Sequence, residues 1–290
     1  MDALNEELKL RDNIPSFILK ESGIETCYHL VKLQNKIKLC DMISKDFRKN
    51  ALYLSIDTET YERNHRCITE IGWVIFKRNG TIVKTKHGIV KRNLNLRNGK
   101  FVDDNKENFD FGHSDTQSLT AIVKELNRDL QRVNYIVGQG INNDIRHLSK
   151  FGAKFTKFNE KNVLKNSSKH FGIIDTLDIY TGRYLEQPIG LEKGLKKLDI
   201  SYRHLHNAGN DAYYTMLYLL KLLKIRNHEC KKILNIKIPD EYKEEDYFTF
   251  KENKKILKQR EREARKNREN QENQEHQEHQ EHQAQIQITS

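Results

Sequence analysis

The sequence runs to 290 residues, with 51 Lys/Arg against 41 Asp/Glu, a net charge of +10 and 36% hydrophobic residues. That length allows one domain of ordinary size with appendages, or two small ones, and enough apolar residues for a real core. No run of about 18 apolar residues occurs, which excludes a transmembrane helix, and the acidic start from Met1 to Glu7 resembles neither a secretory signal nor a transit peptide.

Cys27, Cys40, Cys67 and Cys230 are scattered, with no CxxC pair and no zinc spacing, so reduced thiols in an intracellular protein are expected. Residues 251–290 hold nine Lys/Arg and eight Asp/Glu, which leaves +9 on the remainder of the chain. A basic body of that kind is compatible with a polyanionic partner.

In chain order, residues 1–50 read as two or three helices. Leu30, Leu33, Ile37, Cys40, Ile43 and Phe47 recur at helical spacing, and Pro15 fits a helix start or a break. Residues 51–92 read as an antiparallel meander: Leu52 to Ile56, then Ile68 to Phe76, then Thr81 to Val90 after the hairpin signal Asn79-Gly80. From Asn93 to about Thr116 the sequence is a long polar loop, of a length usually functional or mobile.

A helix is expected from about Gln117 to Gln131, and a short buried strand over Tyr135 to Gly138. A helix through Ile145, Leu148 and Phe151 follows. Ile173-Ile174-Asp175 repeats the pattern of an apolar strand ending on an acid, Leu191 to Leu198 marks another helix, and Met216 to Leu223 continues a strongly apolar one. Strands alternating with helices after a meander predict an α/β sheet of mixed strand direction. Lys254 to Arg268 holds eight basic and two acidic residues, and Glu269 to Gln283 repeats triplets of Glu, Asn or His, and Gln. Such a tail cannot bury a core, so a disordered segment or lone helix is expected.

Three acidic signals stand apart. Asp57 and Glu59 sit at i and i+2 at the end of an apolar strand, on one face if the strand continues. Asp144 follows the second buried strand, and Asp211 opens the apolar helix, five residues after His206. In α/β sheets functional groups gather where adjacent strands end, and converging carboxylates need a cation between them. Mg²⁺ takes oxygen ligands and leaves positions for water and phosphate, while a neutral imidazole can accept a proton from the attacking water. Each acid alone also suits a helix cap or a solvated turn.

Together, Ile56-Asp57-Thr58-Glu59-Thr60, Val137-Gly138-Gln139-Gly140-Ile141-Asn142-Asn143-Asp144 and His206-Asn207-Ala208-Gly209-Asn210-Asp211-Ala212 resemble the three motifs of DEDDh-type 3′–5′ exonucleases of the ribonuclease-H-like superfamily. The resemblance spans about residues 50–225. It is nearest to a fungal nuclease-like group that includes an mRNA-export-associated helper of a DEAD-box helicase, whose insertion Asn98, Asp103 to Asn105 and Phe109 to Gly112 also resemble.

The resemblance implies a ribonuclease-H-like mixed β-sheet flanked by helices over residues 51–250. A helical extension (1–50) would precede it and a charged, low-complexity tail (251–290) would follow. It implies two divalent ions, Mg²⁺ or Mn²⁺, held by Asp57, Glu59, Asp144 and Asp211, with His206 as general base. Thr58 and Thr60 would seat the terminal nucleotide, and Asp175 is expected behind the site or as a helix cap.

Gln139 stands where the family has His, at a position that is not a ligand, so altered packing and intact chemistry are expected. The implied partner is RNA or single-stranded DNA. The Asn143-Asp144 ending is similar to several RNA-directed relatives. A protein or ribonucleoprotein partner through the tail is the further expectation, and a non-catalytic adaptor on the same fold is the alternative. His87, His113, His147, His170 and His204 read as surface histidines, and Tyr202 and Arg203 as possible nucleic-acid contacts.

Overall fold

The computed structural model describes residues 14–20, 23–44, 51–159 and 171–238. Phe47, His170, Pro239 and the whole tail lie outside the described residues, as do the expectations attached to them.

A seven-stranded mixed sheet forms the centre, in the order β4-β3-β2-β1-β5-β7-β6. The meander is β1 (Leu52–Tyr61), β2 (Asn64–Lys77) and β3 (Ile82–Val90), paired antiparallel. β4 (Ser114–Gln117), β5 (Tyr135–Gly138), β6 (Phe158–Asn159) and β7 (Phe171–Asp175) add parallel pairings. The β2–β3 turn falls at Asn79-Gly80, where the Asn79 side chain accepts from Thr81 N at 3.1 Å and Gly80 takes φ +89. That left-handed conformation is the reason glycine stands there.

Alternation along the strands sorts the core into two layers. Leu54, Ile56, Ile71, Trp73 and Ile136 face α2 (Leu119–Leu130) and α3 (Asn142–Ser149). Tyr53, Val74, Phe76, Tyr135 and Val137 face the other side. There they meet α4 (Thr176–Tyr184), α5 (Leu191–Lys197) and α6 (Ala208–Leu222). α1 (Gly23–Ser44) lies across α4 and contributes Cys40 and Ile43 to this layer. Its Leu30, Leu33 and Ile37 pack with Cys230 and Ile233 of a short helix, α7 (Glu229–Leu234). Cys27, Cys40, Cys67 and Cys230 are free thiols.

Several expectations are corrected. β1 continues five residues past Ile56, because pairing with β2 runs on to Tyr61↔Asn64. Gln117 ends β4, and α2 begins after Ser118, whose hydroxyl accepts from Ala121 N at 3.2 Å. Phe151 lies beyond α3 and is exposed. Pro15 heads a turn closed by Ile18 N donating to its carbonyl. The largest correction is His87. It is fully buried, because β3 turns it onto the α6 face in the same row as Gly72 and Asp57.

Candidate active site

Pairing register explains how the site is assembled. Asp57 and Glu59 project from the face of β1 that carries Tyr53 and Ser55, so both point toward α6. Opposite Asp57, β2 places Gly72. A Cβ there would lie 2.2 Å from the Ala208 carbonyl carbon, so only glycine lets the first turn of α6 settle onto the strand pair. Opposite Glu59 stands Glu70. Like charges facing each other across strands are unfavourable unless compensated. Here Glu70 Oε2 lies 3.0 Å from His87 Nε2 and accepts from Ala208 N at 3.2 Å, both groups being buried.

The start of α6 is held from the other side by the insertion between β3 and β4. Asn207 caps the helix, its side-chain oxygen accepting from Gly209 N and Asn210 N, each at 3.1 Å. Its amide donates to Asn105 O at 2.9 Å and Lys106 O at 3.1 Å. Asn210 donates to Asn108 O and His204 O and accepts from Asp110 N. The long polar segment is thus a packed strap, with Lys106 buried and donating to Leu96 O at 2.6 Å.

Asp211 and His206 are set by this cap. His206 has φ +64, a left-handed backbone that a non-glycine residue adopts only under constraint, and its N–H donates to Asp211 Oδ2 at 3.1 Å. Glu59, His206 and Asp211 each offer a ligand atom within 4.8 Å of the other two. Asp144 arrives from the opposite layer. Thr58 points away from Asp57, toward α3, and its hydroxyl donates to Asp144 Oδ1 at 2.5 Å.

Electrostatics identify the cluster as a site under charge stress. Burial, then the charges of Asp144, Asp211, Glu59 and Glu70, push the Asp57 carboxyl well above the ordinary carboxylate range. Glu59 is raised well above its usual value by burial and then by Asp211, Glu70 and Asp144. Burial raises Asp144 and Asp211 to about 7 each, against the hydrogen bonds from Thr58 and His206. Asp211 Oδ1 is buried with no hydrogen-bond partner. An orphaned carboxylate oxygen amid mutually repelling carboxylates fits a hard divalent cation, whose charge removes the repulsion.

The sign of the pH dependence follows. Asp144 and Asp211 are near 7 folded against 3.8 for the ordinary group, so the metal-free fold holds extra protons between those values. Its stability therefore falls as pH rises through that window, and the loss is complete above it. In EDTA the melting temperature is expected to drop between pH 5 and pH 8. Mn²⁺ should restore more at pH 8, where no proton competes for the ligands. A melting temperature flat in pH and indifferent to Mn²⁺ would contradict the cluster's reading as a cation site.

The other residues singled out in the sequence bond to their neighbours. Thr60 keeps its hydroxyl 3.0 Å from His65 Nδ1, and its carbonyl accepts from Asn98. Asp175 caps α4, accepting from Leu177 N at 3.0 Å and from Gly140 N at 2.9 Å, which ties the motif carrying Asp144 to β7. Gln139 accepts from Thr176 Oγ1 and donates to Ile189 O at 2.8 Å, a packing role. Tyr202 donates to Glu192 and Arg203 pairs with Asp110, so both engage neighbouring side chains. His204 is exposed and pairs with Asp110. Glu70 and His87 were missed by sequence reasoning; the charged residue inside the otherwise apolar run Ile68 to Phe76 was the available signal.

A mixed sheet whose central strand gathers acids from elements far apart in sequence defines one class, the DEDDh-type exonuclease-like domains. Over residues 52–222 the chain matches the family model described as DEDDh_C, DNA polymerase III subunit epsilon-like, C-terminal domain, and it belongs to that family.

Similar curated proteins are fungal. An uncharacterized protein of Saccharomyces cerevisiae, YDR514C, is 32% identical over 63% of this chain and 43% of its own length. The uncharacterized nucleolar protein C2C4.08 of Schizosaccharomyces pombe is 35% identical over 56% and 65%. The Good for full DBP5 activity protein 2 of S. cerevisiae is 27% identical over 78% and 46%. The chain thus spans about half to two thirds of the length of these relatives. Among solved structures, E. coli exonuclease I with an oligonucleotide matches 63% of this chain and 42% of that one, at 14% identity and TM-score 0.41. The RNase domain of yeast Pop2 matches 66% and 83%, at 11% identity and TM-score 0.39.

Proposed function

We propose that this protein is a metal-dependent 3′–5′ exonuclease that hydrolyses RNA or single-stranded DNA to nucleoside 5′-monophosphates. The observation that carries this reading is the meeting of Glu59, His206 and Asp211 within 4.8 Å, with Asp144 and Asp211 close enough to Asp57 to raise its carboxyl. Asp57, Glu59 and Asp211 would hold one divalent ion, with Asp57 shared and Asp144 supporting a second. Two bound Mg²⁺ or Mn²⁺ would supply an activated water and charge stabilisation on the phosphodiester.

The chain's own residues do the rest. His206 takes the proton of the attacking water, held in place by the left-handed turn and its N–H bond to Asp211. The segment Thr58 to Thr60 seats the terminal nucleotide, while the Thr58 hydroxyl fixes Asp144. The basic body, at net +9, draws in the polyanionic strand.

The test is cleavage of 5′-labelled RNA and DNA strands of identical sequence with Mg²⁺, Mn²⁺ or chelator. A metal-dependent ladder is expected. His206→Ala should lower turnover by about 10²–10⁴-fold while Mn²⁺ still raises the melting temperature. Loss of that metal-induced shift in His206→Ala would contradict its role as base.

One observation favours a second reading, the kinship with the relative named for full DBP5 activity. On that reading the domain is a ribonucleoprotein adaptor, as in mRNA transport, and binds strands without cutting them. The nucleolar name of the S. pombe relative supports a nuclear location over a cytoplasmic one. A protein contact through residues 251–290 remains part of either proposal.

A further inference from the structure

The strap between β3 and β4 carries an exposed aromatic ring to the rim of the site. Asn98 is fixed at one end of its central stretch: its amide donates to Thr60 O at 3.1 Å, and its side-chain oxygen accepts from Glu62 N at 2.9 Å. Asn105 is fixed at the other end, donating to Leu205 O at 2.7 Å. Thr60 adjoins Glu59 and Leu205 adjoins His206, and those two side chains reach within 4.8 Å of each other. Residues 99–104 therefore run from one bank of the cluster to the other.

The stretch is held stiffly. Gly99 has φ +126, open to glycine, and lets the chain wrap the Glu62 carboxylate. Lys100 N donates to it at 3.1 Å and Phe101 N at 2.9 Å. Backbone N–H groups from Phe101, Lys100, Val102 and Gly99 hold the Glu62 carboxyl below its usual range, as a nest of oriented donors does. At the crest Phe101 is 69% exposed, the most exposed large apolar side chain among the described residues, with Lys100 Nζ 5.0 Å from its ring centroid.

A rigid loop that spends six residues to hold a phenyl ring in water has no use for that ring in the core. Its place decides the partner. Glu62 follows the end of β1 and stands three positions after Glu59, about 10 Å along the backbone at strand rise. A ring whose own backbone N–H caps Glu62, beside an ammonium and in a basic chain, suits an unpaired base with its phosphate, which stacking and charge together recognise.

We infer that Phe101 is a stacking platform for a base of a single strand within a few nucleotides of its 3′ end, with Lys100 at the adjoining phosphate. This rests on the exonuclease reading for the position of the 3′ end only, since the platform serves a strand-binding adaptor equally.

The test uses the full chain in EDTA, with 5′-labelled ten-nucleotide RNA followed by fluorescence anisotropy. Phe101→Ala should weaken binding about 5- to 100-fold, Phe101→Trp should retain it, and Phe101→Leu should behave as the alanine variant. Replacing single bases by abasic positions should cost the wild type affinity at one site near the 3′ end and cost Phe101→Ala nothing there. Equal melting temperatures confirm that folding is unchanged.

Unchanged affinity in Phe101→Ala overturns the inference. So does a leucine variant that binds like wild type, which would mark an apolar protein-docking residue. Failure of wild-type cleavage in Mn²⁺ alongside Phe101-dependent, position-dependent binding would instead sink the exonuclease reading and leave the platform standing.

Discussion

Asp57→Asn is expected to leave less than about one-thousandth of strand cleavage and, in the same protein, to raise the melting temperature of the metal-free fold. The two effects have opposite signs because one carboxylate serves both. Asp57 sits at the centre of the cluster, its carboxyl raised by burial and by Asp144, Asp211, Glu59 and Glu70. An amide keeps the shape, removes one charge from each of those repulsions, and offers no anionic ligand to a shared ion. The measurements are a labelled-strand time course in Mn²⁺ and thermal unfolding in EDTA at pH 8. A variant that cuts normally would end the catalytic assignment. One that melts lower than wild type would show that packing of this side chain, not repulsion, dominates its energetics.

The second large effect concerns stability. His87→Ala should destabilise the fold by about 3–5 kcal/mol, because it leaves a buried carboxylate without its partner. Glu70 and His87 are 2% and 0% exposed, and Glu70 stands opposite Glu59 in the register. The imidazole is also packed beside Phe109, the two ring centroids lying 5.2 Å apart, and its Nδ1 lies 2.8 Å from Ser114 Oγ. The melting temperature should fall by about 10 °C. Adding Glu70→Gln to His87→Ala should recover part of the loss, since the amide still accepts from Ala208 N and carries no charge. A single-variant cost below about 1 kcal/mol, the range of an exposed pair, would show that the pair is not what seats α6.

Much of this was legible in the residues themselves. The Asn79-Gly80 turn, the apolar strands and the helix after His206 each follow from periodicity and turn chemistry, although β1 runs on to Tyr61, β2 starts earlier at Asn64 and the helix starts at Ala208. The three acidic segments were visible as acids closing apolar runs. What could not be read was pairing. Whether Glu70 faces Glu59 or a solvated edge depends on register between strands, and a shift of one residue would have turned it to the other face. His87 reads as a surface group for the same reason: Lys84 and Lys86 take the α2-facing side of β3, reaching Asp129 and Asp115, and leave no apolar alternation to mark the buried face. β4 is four polar residues with no apolar alternation, and only its parallel pairing with β3 makes it a strand. α7 has six residues, too few for a helical period to declare itself.

The crossing of α1 and α4 bears on how the protein can be handled. At Gly182 a side chain would come within 2.7 Å of both Cys40 Sγ and the Lys36 carbonyl, so the two backbones touch with nothing between them. Arg183 then reaches over to Asp41, Cys40 O and Ser44 Oγ. A shortened chain starting at Ala51 would keep Asp57, Glu59, Asp144, His206 and Asp211 and yet strip the cover from Ile179 and Gly182. The smallest portable form of this domain therefore keeps the whole of α1, and biochemistry on a trimmed version would be measuring a wounded scaffold.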